Sequence, residues 1–236
     1  MSGSVKAVVG RGLREAGAKL RQAGGAEIFT RHRPKVIFNG IKPFETNDTF
    51  IAPTASVIGD VTNWDESSVW FGAVVRADSG HPITIGFSSN VQDRAVLNTL
   101  PASVENMETG FPPICHVGHY VSVGAGSVLV SCRVEDIVDI GEKCTIMEGA
   151  IVEGEVILEA GTVVPPYARI PSGQRWGGNP AKFISNLNSD EKGGIKAKAE
   201  RIHITASEHQ VEFLPVGSTY LHLEDLEKKG TQTVQG

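Results

Sequence analysis

VEDIVDIGEKCTIMEGAIVEGEVILEAGTVVPPYARI, residues 134–170, decides the fold. Val134, Ile140, Ile146, Val152, Leu158, Val164 and Ile170 recur in it every six residues. Four positions after each of the first six stands a slim side chain: Val138, Cys144, Ala150, Val156, Thr162 and Ala168. Neither the helix period of 3.6 nor the strand period of two produces this pattern. A six-residue repeat predicts a parallel β-helix, in which short strands and tight corners wind into a triangular prism. Three hexapeptides make a coil of about 18 residues, and coils stack about 4.8 Å apart. The aliphatic residue fills the prism axis and the slim one fits beside it.

The register extends toward the amino end. It starts at Ile51 and Val57, lapses at Asn63 and resumes at Val69 and Val75. It continues through Ile85, Val91 and Leu97, then Val117, Val123 and Leu129. The slim partners Ala55, Val61, Ala73, Ser89, Ala95, Val121 and Ser127 follow it. Two insertions, 77–82 and 99–113, hold glycine or proline and are predicted to bulge from prism corners as loops, where function usually sits. From Leu129 to Val134 the step is five, so the register loses one residue.

Toward the carboxyl end, PSGQRWGGNPAKFI closes the coil, with Trp176, Asn179 and Pro180 as structural residues. Asn188 and Glu191 form a capping-box pattern. Ile195, Ala199, Ile202, Ala206, His209 and Phe213 make a one-sided stripe and predict a helix lying on its own prism or a neighbour's. His209 reads as a packed edge residue, and Pro215 stops the helix. Residues 218–229 suit a strand or short helix, with disorder expected beyond Gly230. At the other end, Val5, Val9, Leu13, Ala16 and Leu20 form a stripe, although Gly10, Gly12 and Gly17 make that helix marginal alone. The resulting division is a basic arm with an amphipathic helix over 1–44, a β-helix over 45–185, and a helix and tail over 186–236.

Composition narrows the function. Twenty-seven glycines and 6% aromatic residues in 236 suit a solenoid with tight corners and a narrow core. Residues 1–35 carry net charge +6, leaving −11 for the rest of a chain whose total is −5. The body therefore repels nucleic acid, and the basic arm suits an acidic partner or an anionic lipid surface. That arm also has the Arg-bearing, acid-poor character of a mitochondrial targeting segment. GRGLREAG lacks the third glycine of a dinucleotide-binding fingerprint. Cys115, Cys132 and Cys144 fall in no CxxC spacing, which suits a reducing compartment, and Cys144 reads as a small hydrophobe.

Several segments carry a resemblance. VIGDV (57–61), SSVWFGAVVRAD (67–78), NVQD (90–93), VSVGAGSVL (121–129) and IPSGQRWGGNPAKFI (170–184) together resemble gamma-class carbonic anhydrases. EAGTVVPPYARIPSG, EFLPVGSTYLHLE, VVGRGLREAG and RHR resemble, more particularly, the carbonic-anhydrase-like subunits of mitochondrial complex I. The resemblance implies a left-handed parallel β-helix and a trimer with zinc sites between subunits. Each site there takes two histidines from one subunit and one from the next, and zinc-bound hydroxide attacks CO₂.

Carried over position by position, the three histidines fall on Asn98, Ala125 and Val130. Alanine and valine have no lone pair to donate, and asparagine is a poor zinc ligand. The resemblance thus implies a subunit without catalytic residues, metal or cofactor. Arg76, Asp78, Gln92 and Asp93 match retained polar positions of the family, read here as structural or interface residues. Elsewhere Cys115, His116 and His119 cluster and His81 lies in the first insertion; with Val117 inward, His116 and His119 face out near a corner.

The reading that follows is a non-catalytic structural subunit of a heterotrimer with other gamma-carbonic-anhydrase subunits. It would sit on complex I membrane-arm subunits, at the matrix side of the mitochondrial inner membrane. Two alternatives stay open: a carbonic anhydrase lending supporting residues to a zinc site shared with a partner, and a hexapeptide-repeat acyltransferase. The latter class generally needs a catalytic histidine at a subunit cleft, and none occurs between residues 120 and 202.

Overall fold

The computed structural model describes residues 32–46, 48–104, 106–107 and 112–212. The arm helix over 1–25, Phe213, Pro215 and the readings for 218–236 lie outside the described residues. Three parallel sheets form the walls of a prism, visited in rotation as the chain advances. The first holds β1 (Lys35–Val36), β4 (Ser56–Gly59), β7 (Val74–Ala77), β10 (Val96–Asn98), β13 (Val128–Val130), β16 (Thr145–Ile146) and β19 (Val163–Val164). The second holds β2 (Phe44–Glu45), β5 (Val61–Asn63), β8 (Ile83–Ile85), β11 (Cys115–Val117), β14 (Arg133–Val134), β17 (Ile151–Val152) and β20 (Arg169–Ile170). The third holds β3 (Phe50–Ile51), β6 (Ser68–Val69), β9 (Asn90–Val91), β12 (Ser122–Val123), β15 (Val138–Ile140), β18 (Val156–Leu158) and β21 (Gln174–Gly177). An antiparallel strand, β22 (Lys182–Asn186), ends this third sheet.

The hexapeptide rule is visible in the packing. Ile146 stacks in register between Leu129 and Val164, and none of the three is exposed. Val134, Val152 and Ile170 form the matching column of the second sheet, and Ile140 and Leu158 that of the third. Each such residue taken out of water contributes about 1.5–3 kcal/mol. Slim residues are needed at the corners because the coils approach closely there. A Cβ on Gly124 would lie 2.4 Å from the Gly141 backbone.

Strand pairing begins at Lys35, not near residue 45, so the first coil lies partly within what the sequence assigns to the arm. The reason is chemical. In this coil the inward register positions facing Val57 and Asn63 hold Lys35 and Glu45, which form an ion pair in place of two aliphatics. No hydrophobic period marks such a coil. Asn63, where the period lapses, still points inward in register with Ile85 and is fully buried, with neither amide atom hydrogen-bonded to the described residues.

Helix α1 (Ser189–Glu212) lies on its own prism, against β3, β9 and β12 of the third sheet. The Glu191 carboxylate accepts the Asn188 N–H at 2.8 Å, the return bond of the capping box. Ile195, Ala199 and Ala206 are buried beneath it. His209 packs among Phe50, Trp70 and Phe71, with centroid distances of 5.5–6.1 Å. Lys198 pairs with Asp139 at 2.6 Å, and Lys196 stands 4.5 Å over the Tyr120 ring.

Candidate functional site

The outward side chains give each wall its own character. On the third sheet, Ser68, Asn90 and Ser122 face outward but are buried, because α1 covers that wall. On the second, Thr62, Thr84, His116, Arg133 and Arg169, with Ile151 between the two arginines, make a mostly polar outer surface. On the first, Ile58, Val74, Val96, Val128 and Val130 stand half-buried in a largely apolar face, whose outward charge is Arg76.

The three positions that the resemblance matches to zinc ligands belong to this first wall and its edge. Asn98 is in register with Arg76 on one side and Val130 on the other, so the three form one outward ladder. Neighbouring rungs are about 4.8 Å apart, close enough for two side chains to share one ion. Ala125 lies elsewhere, at the corner between β12 and β13, beside a cleft lined by Phe71, Asp93, Arg94, Glu142 and Lys143. One chain therefore presents two ligand positions together and the third apart.

The donor chemistry does not fit zinc. The Asn98 amide oxygen accepts the Thr99 N–H at 2.9 Å, and Ala125 and Val130 end in hydrocarbon. Among the described residues, no group of three or more His, Cys, Asp or Glu side chains is placed to hold a metal ion. No hydration step through zinc is assigned to these residues.

The retained polar residues are tied into the scaffold. Arg76 donates to Asp78 at 2.8 Å, leaving the second Asp78 oxygen buried without a partner among the described residues. Gln92 donates to Asn90 at 3.3 Å, and Asn90 in turn to Ser122 on the next coil at 3.0 Å. Asp93 accepts the Phe71 N–H at 3.1 Å, bridging two corners.

The cluster of Cys115, His116 and His119 divides among three environments. The His119 ring Nδ1 accepts the Phe87 backbone N–H at 2.9 Å, while the His119 backbone N–H donates to Asp136 at 2.7 Å, so the residue braces a corner. His116 faces outward beside Arg133, and burial, then that guanidinium, hold its pKa below the ordinary value. Cys115 points into the core, where its neighbour is Cys132. Sequence spacing hides this pair, because the coil joining them contains the five-residue step.

No protein-family model matches the chain. Among curated proteins it is 46% identical over 181 residues to gamma carbonic anhydrase-like 1, mitochondrial, of Arabidopsis thaliana, covering 77% of this chain and 70% of that protein. It is 34% identical over 217 residues to gamma carbonic anhydrase 2, mitochondrial, of the same plant, covering 87% and 76%. Among solved structures, a hexapeptide transferase family protein from Anaplasma phagocytophilum superposes with a TM-score of 0.67 at 27% identity, covering 74% of this chain and 96% of that one. The prism and these relatives agree: the chain belongs to the gamma carbonic anhydrase family.

Proposed function

We propose that the chain is a non-catalytic structural subunit of a heterotrimer of gamma-carbonic-anhydrase chains in the mitochondrion. Its seat would be the membrane arm of complex I (NADH:ubiquinone oxidoreductase), on the matrix side of the inner membrane. The observation that carries the reading is that Asn98, Ala125 and Val130, two hydrocarbons and an amide already hydrogen-bonded to the Thr99 N–H, stand where the resemblance places histidines. The 46% identical relative, a mitochondrial protein with "-like" in its name, supports it. So does the apolar outer face of the first sheet, which suits contact with neighbouring subunits. No observation favours acyl transfer, and the solved transferase-family relative shares the architecture.

Zinc content tests this reading. Each family site takes ligands from both sides of one interface, and a trimer has three interfaces. This chain borders two of them and brings neither the paired nor the single histidine. The expected ceiling is therefore one zinc per purified heterotrimer, whichever way the subunit faces. Two or more tightly bound zincs would overturn the reading.

The retained Gln92 and Asp93 favour one second reading, a subunit that supports a partner's zinc site. Under it, Gln92→Ala in the assembled heterotrimer lowers CO₂ hydration at unchanged zinc content. Under the structural reading, hydration per zinc stays constant.

A further inference from the structure

We propose that Cys115 and Cys132, with Met107 at the wall of the adjoining cavity, form a binding site for a soft monovalent metal ion of the Cu(I) class. His116 and Arg133 are register partners on β11 and β14, so the residues just before them, the two cysteines, stack on successive coils. The His116 N–H donates to the Cys132 carbonyl at 2.9 Å, which fixes that stacking. Both side chains point inward at 1% exposure, so the two thiols are neighbours in the core. An apolar cavity of about 50 Å³ borders Cys132 and is lined also by Met107, Ile114 and Arg133. Met107, whose thioether is a further soft donor, lines the same cavity as Cys132.

The ligand set selects the ion. Two thiols and a thioether are soft donors, which favour Cu(I) over hard cations. Zinc would need four ligands, and the described residues offer no third His, Cys, Asp or Glu nearby. In the neutral form, one S–H bond breaks, its proton goes to solvent, and a sulfur–metal bond forms. The second thiol and the thioether then donate lone pairs without losing protons. The metal keeps its oxidation state, and a monovalent ion with one thiolate carries no net charge into the core, where an unpaired charge is costly.

The surroundings argue against a redox switch. The hydrogen bond from Cys115, then burial, push the Cys132 thiol well above its ordinary pKa. That leaves little thiolate for attack on an oxidant. A bound metal ion overcomes this by deprotonating the thiol it coordinates. Cys144 supplies the internal contrast. It is also buried, but its thiol donates to the Glu159 carbonyl at 3.1 Å and the Glu142 carbonyl at 3.9 Å, and no cysteine is among the groups that act on it.

The experiment uses the full reduced chain under anaerobic conditions, titrated with Cu(I) held by a coloured chelator such as bicinchoninate. One equivalent per chain should pass from chelator to protein, with a thiolate-to-metal absorption band. Cys115→Ser and Cys132→Ser should each weaken binding at least tenfold, and Met107→Leu less. Cys144→Ser should bind as the native chain does. Serine suits these slots, because Ser89 and Ser127 occupy equivalent ones fully buried. The proposal is overturned if the native chain takes no copper from the chelator. Binding that survives the Cys115→Ser, Cys132→Ser double variant, or an equal loss in Cys144→Ser, also overturns it.

Discussion

The first and second sheets share an interior and differ outside. Inward, both present aliphatic columns: Val75, Leu97, Leu129 and Ile146 in one, Ile85, Val117, Val134 and Val152 in the other. Outward, the first shows Val74, Val96 and Val128, where the second shows Thr84, His116 and Arg133. The inner residues set the coil and the outer ones set what the wall meets. A strand's alternation lets these two requirements vary independently.

The strongest way to break that separation is to disturb the shared interior. Ile146→Asp places a carboxylate between Leu129 and Val164 with no polar partner in its column. A loss of more than about 4 kcal/mol is expected, read from chemical denaturation, because a buried unpaired charge is among the costliest substitutions. Native-like unfolding of this variant would refute the assigned register.

Next comes a pair of outer-face variants. Val130→Lys on the first wall should change the stability of the isolated chain by less than about 1 kcal/mol, since the side chain is only half-buried. If the proposed heterotrimer exists, it should weaken association with the partner subunits at least about tenfold, or about 1.4 kcal/mol. Thr84→Lys on the second wall, half-buried between Thr62 and His116, should do neither. Size-exclusion profiles of co-expressed subunits distinguish them, and equal effects would erase the difference between the faces.

Smaller effects belong to the wall that α1 covers. The Glu191 carboxyl is held below the usual range by the Asn188 N–H and then by Arg175. A depressed carboxylate pKa contributes stability that is present above the unfolded value of about 4.3 and is lost as pH falls through the folded value. Glu191→Gln should therefore melt earlier at pH 7 and converge on the native chain in acid. A melting difference that persists undiminished below the folded pKa would assign the effect to packing. Gly194→Ala should act in the opposite direction. The glycine is exposed within α1 and a Cβ there meets nothing within 4 Å, so a gain of about 0.4–1 kcal/mol is expected.

These cases also show which features the sequence exposes. Ile146 and its column are legible because each inward residue is aliphatic and six residues apart. The capping box is legible because both partners lie within one turn. The first coil is not, because Lys35 and Glu45 occupy inward positions and Phe44 is 57% exposed. The Cys115–Cys132 contact stays hidden for a different reason: it joins successive coils across a shortened repeat. His119 reads as one of a Cys115–His116–His119 cluster until its ring is seen to accept the Phe87 N–H. The alignment with zinc ligands yields Asn98 and Val130 separately, and only register shows them adjacent.

The ion pair of the first coil has a consequence for self-association. A stack of identical parallel coils resembles a fibril, since either open end can template another layer through unpaired backbone groups and exposed apolar sections. Here one end sets Lys35 against Glu45 where the next layer would require two hydrocarbons. At the other end β22 reverses direction, which interrupts the parallel template on the third wall. Among the described residues, end-to-end stacking is discouraged at both ends by local chemistry, while the outer face of the first wall is apolar. Replacing Lys35 and Glu45 together with valine should lengthen the hydrophobic axis by a coil and, by the same change, seed filaments.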